Sequence, residues 1–219
     1  MKKTLLKLGL APLIVFALTL MSNSGGSPGG RTGSDSDGQT CATAGCHGAI
    51  PPNVQDMITT DIPVDGYMPD STYEITVTVT DENSGKFGFE MVAEDASGNK
   101  QGTFTGNTEV TSFLSNQRVT HKSSSNTGSG SRTWTVQWKA PSSGTGAVTF
   151  FVAALVANGN GNNSGDFVLI ASRKFEEQSV ASIADFKPFA FKLYPNPVHE
   201  TLYVDTDGSF ELSLFDQMG

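Results

Sequence analysis

The residues best suited to chemistry are the two cysteines, Cys41 and Cys46, and the histidine that follows them, His47. Their pattern is Cys-x4-Cys-His, whereas the common motif for c-type haem attachment is Cys-x-x-Cys-His. In that chemistry both thiols bond to the haem vinyl groups and the adjacent histidine binds the iron. The residues between the cysteines, 42–45, are all small, so the extra length can bulge outward. The pattern therefore makes Cys41, Cys46 and His47 candidates for holding a haem c, although composition alone favours a disulfide between the two cysteines.

Two other interpretations of these three residues remain open. A Cys41–Cys46 disulfide would close a loop of roughly six residues and constrain the unfolded chain by about 2 kcal/mol, with His47 as a bystander. A zinc site would need a fourth ligand from elsewhere, because only two thiols and one imidazole lie close in sequence. Neither alternative would transfer electrons.

A bound haem would also need a second axial ligand. His121, at the end of an apparent strand, is the best distant candidate, because two histidine ligands suit electron transfer. Met57, Met68 and Met91 are alternatives. The competing interpretation of His121 is a structural histidine at a sheet edge, and it is the one we favour. His199 is not expected to contribute.

The elements that must position these residues are strands. Apolar residues alternate with Thr and Glu over 73–80, and a similar alternation covers 87–91 and 134–138. This period of two predicts half-buried strands. Residues 148–156 are apolar on both faces, as in a central strand, and 167–171 is a fifth candidate. Short strands separated by Gly, Asn and Ser predict an all-β protein built as an antiparallel, immunoglobulin-like β-sandwich.

Composition divides the chain and narrows its partners. A basic start, an apolar stretch and small residues predict a signal peptide. The predicted segments are a signal peptide at 1–24, a Gly-rich segment with the cysteines at 25–52, the sandwich at 53–175, a linker at 176–188 and a small β-rich piece at 189–219. Within the sandwich, the polar stretch 122–132 is expected to be a mobile loop. The net charge is −8, and losing the lysine-containing signal peptide makes it more negative, so nucleic-acid binding is not expected.

The last segment resembles the C-terminal sorting domain of type IX secretion substrates, which bacteria of the Bacteroidota lineage export. The resemblance rests on Tyr194-Pro195-Asn196-Pro197, a short strand, and a final Leu-Phe-Asp-x-x-Gly ending at Gly219. It implies passage through the type IX secretion machinery, then attachment to outer-membrane surface lipopolysaccharide or release. The terminal strands of that family are absent from 189–219, so we expect either a truncated sorting domain in a fragment or a chain that cannot be sorted.

Residues 29 to about 172 resemble the reelin-type (Reeler) β-sandwich in its bacterial form. The marks that agree in order and spacing are Gly29–Gly33, the Cys41–His47 group, Tyr67–Tyr73, Phe87-Gly88-Phe89, Val119–His121, Trp134–Pro141 and Gly165-Asp166. The resemblance implies an extracellular Reeler-like sandwich and no particular catalytic chemistry. Bacterial members have the two-residue spacing between the cysteines, from which this chain departs.

These observations predict an exported cell-surface protein that passes single electrons through haem c to a redox partner. The alternative is a non-catalytic adhesion or glycan-binding module with a Cys41–Cys46 disulfide. In that case exposed Trp134 and Trp138 would offer a platform for sugars, although both are expected in the core. An enzyme is not expected, because no nucleophile–base set is visible.

Two weaker patterns have ordinary explanations. The Asn/Gly run 158–166 contains a single carboxylate, Asp166, and calcium needs several, so a solvated turn is expected there. Glu90, Glu94 and Asp95 lie near a turn and are interpreted as a chance grouping of acids.

Overall fold

The computed structural model describes residues 25–43, 46–48, 56–179, 191–195, 197–206, 211 and 213. The predicted signal peptide, 1–24, lies outside them, as does most of the predicted strand at 210–214. The chain divides into two compact units, Met1–Ser179 and Val180–Gly219, and the division falls inside the range predicted as a linker. Across the described ranges, no helix has the length and apolar character needed to cross a membrane.

The first unit consists of two antiparallel sheets. The strands are β1 (Ile58–Thr60), β2 (Thr72–Thr80), β3 (Lys86–Glu94), β4 (Thr103–Thr105), β5 (Val110–Phe113), β6 (Arg118–His121), β7 (Ser131–Lys139), β8 (Val148–Ala157) and β9 (Phe167–Phe175). One sheet has the order β1-β2-β7-β4 and the other β5-β6-β3-β8-β9. The all-β prediction is confirmed. The five predicted strands correspond to the long ones, β2, β3, β7, β8 and β9, because strands of three or four residues are too short to show a pattern.

The two sheets form a β-sandwich whose core is apolar and rich in aromatic rings. Alternate residues of β2 and β7 are buried, and their threonines face outward. Trp134 and Trp138 are 1% and 0% exposed. Their rings lie 4.8 Å from the rings of Phe89 and Phe150 respectively. Both tryptophans are therefore core residues, as expected, and they offer no exposed platform for sugars.

Two central strands are covered on both faces, for different reasons. β8 lies between β3 and β9, and its apolar run matches that position. β3 is also buried along nearly its whole length, but the face turned away from the core contains Glu90 and Glu94, which are 0% and 1% exposed. A buried carboxylate must find donors, and these donors come from the Gly-rich N-terminal segment.

The polar stretch 122–132 contains a packed turn. Ser123–Ser125 form a 3-10 turn, and Ser125 is 3% exposed. The indole N–H of Trp134 donates to the Ser125 carbonyl at 3.0 Å. Arg132 also donates to that carbonyl, at 2.8 Å. Composition predicted a mobile loop here, whereas side chains of β7 hold the turn in place.

In the second unit, the described residues include an antiparallel hairpin of β10 (Phe191–Tyr194) and β11 (Tyr203–Thr206). The rings of Tyr194 and Tyr203 face each other across the pair and stack at 5.5 Å. The Tyr194–Pro195 peptide bond is cis. β11 matches the strand predicted around 202–204.

Candidate functional site

Residues 25–43, which we call the strap, lie across the outer face of β3 and β6. The carboxylate of Glu90, in β3, accepts hydrogen bonds from three strap residues. The donors are the hydroxyl of Ser27, the N–H of Gly30 at 3.0 Å and the N–H of Arg31 at 3.2 Å. Arg118 of β6 donates to the same carboxylate at 2.5 Å. Hydrogen bonds to a buried carboxylate thus hold the strap on the sheet, because this glycine-rich segment has little apolar surface to bury.

A second group of bonds fixes the middle of the strap. Glu94 accepts the hydroxyls of Ser34 and Ser36, each at 2.7 Å. Asp37 pairs with the guanidinium of Arg118. Burial alone would raise the pKa of Asp37, but hydrogen bonds from Arg118 and a neighbouring threonine outweigh burial and lower it. Of the three acids interpreted as a chance grouping, Glu90 and Glu94 are attachment points of the strap, whereas Asp95 accepts hydrogen bonds from residues of its own turn.

The strap ends near the first cysteine. Cys41 is half-buried, Cys46 is exposed, and both thiols are free. The Sγ atom of Cys41 lies 4.0 Å from the carbonyl oxygen of Arg31. Burial, and then the charge of Glu90, raise the pKa of Cys41 to about 12. Cys41 is therefore a neutral thiol at pH 7 and a weak attacking group in disulfide exchange.

His47 is held by an acid far away in the sequence. Its Nδ1 atom lies 3.0 Å from Oδ2 of Asp166, the residue before β9, and the two side chains are 23% and 4% exposed. The other oxygen of Asp166 accepts the N–H of Asn158 at 3.1 Å. In the neutral imidazole, a carboxylate acceptor beside Nδ1 places the hydrogen on that atom and leaves Nε2 as the nitrogen with a lone pair.

Gly48 allows this close approach. A Cβ atom at position 48 would lie 1.9 Å from the carbonyl oxygen of Asp166, so a side chain cannot be accommodated without a shift of the backbone. From the sequence, Asp166 belongs to a family mark and is the single carboxylate of the Asn/Gly run, and neither observation assigns it a role beside His47. Nothing in the linear order pairs it with His47, which is 119 positions away.

His121 lies in a different part of the sheet. β6, which contains it, is separated from β9 by β3 and β8, a distance of about 14 Å at normal strand spacing. Its Nδ1 accepts the N–H of Phe89 at 3.1 Å, its ring packs against Phe89 and Trp134, and burial lowers its pKa. These are the surroundings of a structural histidine, and the structure does not bring His121 to His47. Its role as an axial ligand stays a prediction.

The other candidate ligands are dispersed. Met57 and Met91 are core residues, whereas Met68 is 39% exposed. Among the residues that the structure describes, no group of three or more His, Cys, Asp or Glu is arranged to hold a metal ion. The amide groups of Asn158 and Asn160 both donate to the carbonyl of Ser164. That closes the Asn/Gly run as a turn, as expected from its composition.

Comparison with known proteins gives one family. The model of the Reeler domain matches residues 39–160, a range that includes the cysteines and His47. A search of curated protein sequences found no match.

Three solved structures are similar. The reelin-N domain of F-spondin is 18% identical, with a TM-score of 0.46 over 60% of this chain and 92% of that one. A human F-spondin reeler domain is 18% identical, with a TM-score of 0.44 over 60% and 95%. A DUF4466 family protein from Parabacteroides merdae is 14% identical, with a TM-score of 0.32 over 57% and 46%.

Proposed function

This chain belongs to the Reeler domain family, and we propose that it is a cell-surface electron-transfer module with one haem c bound to Cys41, Cys46 and His47. Reeler domains are typically extracellular, which suits a secreted protein. The observation that most supports the proposal is the position of the His47 ring. Nδ1 lies 3.0 Å from Asp166, which in the neutral imidazole leaves Nε2 for the iron, and two free thiols belong to the same segment.

The donor set fits covalent attachment. Each thiol would add its S–H across one vinyl double bond, so that sulfur bonds to one carbon and the hydrogen goes to the other, with no oxidant consumed. Both thiols are free in the structure, as addition to the vinyl groups requires. Once bound, the haem supplies single-electron chemistry.

The strap would determine where the haem sits. Glu90 and Glu94 hold its first part on the sheet, and Asp166 holds His47. The attachment segment is thus anchored on both sides of the cysteines, which limits the motion of the groups that would bind the haem. Exposed Cys46 places that segment at the protein surface, where a redox partner could approach.

Export forms a second part of the proposal. The signal peptide and the sorting segment 189–219 would direct the chain through the type IX machinery to surface lipopolysaccharide, as in the Bacteroidota proteins that the segment resembles. The hairpin of β10 and β11 contains the first residues of that segment's motif. Fusing residues 189–219 to a reporter that carries a signal peptide, in a bacterium with this machinery, tests whether the segment directs sorting without the family's terminal strands; the proposal expects the reporter on the cell surface. Retention in the periplasm would contradict this part.

The test of haem binding is expression of the full chain together with the attachment machinery. The expected product is coloured, shows a Soret band, and is heavier than the polypeptide by the mass of one haem. Replacing both cysteines by serine should abolish the covalent mass gain. His47→Ala should remove the low-spin spectrum, whereas His199→Ala, which changes a histidine of the second unit, should leave it intact.

A colourless product that is lighter than the polypeptide by two hydrogens would identify a Cys41–Cys46 disulfide and refute the haem proposal. An adhesion or glycan-binding role would then need a surface other than Trp134 and Trp138, because both lie in the core.

A further inference from the structure

Asp166 is an acidic residue whose side chain is almost completely buried. Its side chain is 4% exposed, and the basic group with which it pairs is the imidazole of His47. No lysine or arginine of the described ranges forms a salt bridge with it. A buried carboxylate without a strong cation depends on its hydrogen-bond donors, and Asp166 has two, His47 and the N–H of Asn158.

The surrounding backbone holds this carboxylate in one place. The N–H of Asn158 fixes one oxygen, and the side chain of Asn158 donates to the Ser164 carbonyl at 2.8 Å, which closes the turn. Gly165 has a φ of +81°, a conformation that favours glycine. Gly48 packs directly on the Asp166 carbonyl. The carboxylate that contacts His47 is therefore held in place by the turn that Asn158 closes and by the packing of Gly48.

We infer that Asp166 is a positioning residue that orients His47 and lowers the reduction potential of the haem site, an inference that rests on the proposed function. The carboxylate fixes the Nδ1–H tautomer and the ring direction, and directs Nε2 away as the ligand atom. A charged acceptor also draws the Nδ1 hydrogen toward itself more strongly than a neutral carbonyl does. Nε2 becomes a stronger electron donor, which stabilises ferric over ferrous iron.

The first test needs no haem. Nitrogen-15 NMR of the full apo chain should show the His47 ring with its hydrogen on Nδ1, and Asp166→Asn should remove that preference. Asp65→Asn, which changes an exposed acid between β1 and β2, should not. A wild-type His47 with its hydrogen on Nε2, or a tautomer unaffected by Asp166→Asn, would overturn the assignment even if no haem attaches.

The second test uses the haem-loaded chain. Asp166→Asn should favour the ferrous form by about tenfold at a fixed potential, which for a one-electron couple is about 59 mV. Asp166→Glu keeps the charge, so its reduction potential should lie between those of wild type and Asp166→Asn. If Asp166 acted only through its shape, the charged variant would not be closer to wild type than the neutral one. Equal potentials in wild type and Asp166→Asn would refute the tuning role. Failure of every variant to attach haem would refute the proposed function, and with it the tuning of potential, while the NMR result would still decide the positioning role.

Discussion

Glu90→Gln is the most informative test of how the strap is held. Glu90 is fully buried and accepts hydrogen bonds from Arg118 and from three strap residues. Glutamine keeps the shape but removes the charge, and its amide hydrogens would face other donors. Removing one partner of a buried ion pair costs roughly 3–5 kcal/mol. Asp37 still pairs with Arg118, so we expect the lower end, about 3 kcal/mol.

Urea unfolding followed by tryptophan fluorescence measures this loss, because both tryptophans lie in the core of the first unit. With a slope of about 2 kcal/mol per molar urea, the midpoint should fall by about 1.5 M. Hydrogen exchange should also become faster at the amides of Gly30 and Arg31, which donate to Glu90.

The matched control is Glu82→Gln, which changes an exposed acid and should alter stability by no more than about 0.5 kcal/mol. If Glu90→Gln behaved like this control, and Gly30 and Arg31 stayed protected, the strap would not be held by the buried charge. The account of the N-terminal segment would then be wrong.

Two further predictions concern other parts of the site. Burial lowers the pKa of His121, so the unfolded chain binds its proton first, and stability falls as the pH drops below about 6.5. His121→Gln should therefore lose less stability than wild type between pH 7 and pH 5 in urea titrations, and equal losses would contradict the burial argument. Gly48→Ala should detach His47 from Asp166, because the new Cβ overlaps the Asp166 carbonyl. Nitrogen-15 NMR should then show that the hydrogen of the His47 ring is no longer held on Nδ1, the atom that lies 3.0 Å from Asp166 in the structure. Gly85→Ala, where the nearest atom is 3.6 Å away, should cause no such change, and an unaltered His47 ring in Gly48→Ala would refute the steric argument.

The long strands could be predicted because each residue reports its own surroundings. In β2 and β7 the alternation of apolar and polar residues follows from burying one face of each strand, and in β8 the continuous apolar run follows from burying both. In β3 the residue types do not report burial in this way. Glu90 and Glu94 are buried charges within a largely apolar strand, and from sequence alone they resemble exposed residues near a turn.

The candidate site also combines residues that are close in sequence with one that is distant. Cys41, Cys46 and His47 could be proposed from the sequence because their candidate chemistry depends on spacing along the chain. Asp166 could not, because its role depends on lying 3.0 Å from a residue 119 positions away, and periodicity contains no information about such pairs. His121 shows the converse case, since a suitable residue type proved to be packed in a separate part of the sheet.

The sequence by itself determined the all-β architecture and the long strands and singled out Cys41, Cys46 and His47 as candidates, because hydrophobic period and local spacing are properties of neighbouring residues. Only the tertiary structure decided that two buried glutamates anchor the strap and that Asp166 holds His47. Hydrogen-bond partners for buried charges come from whichever segments the fold brings together, and that depends on the whole chain.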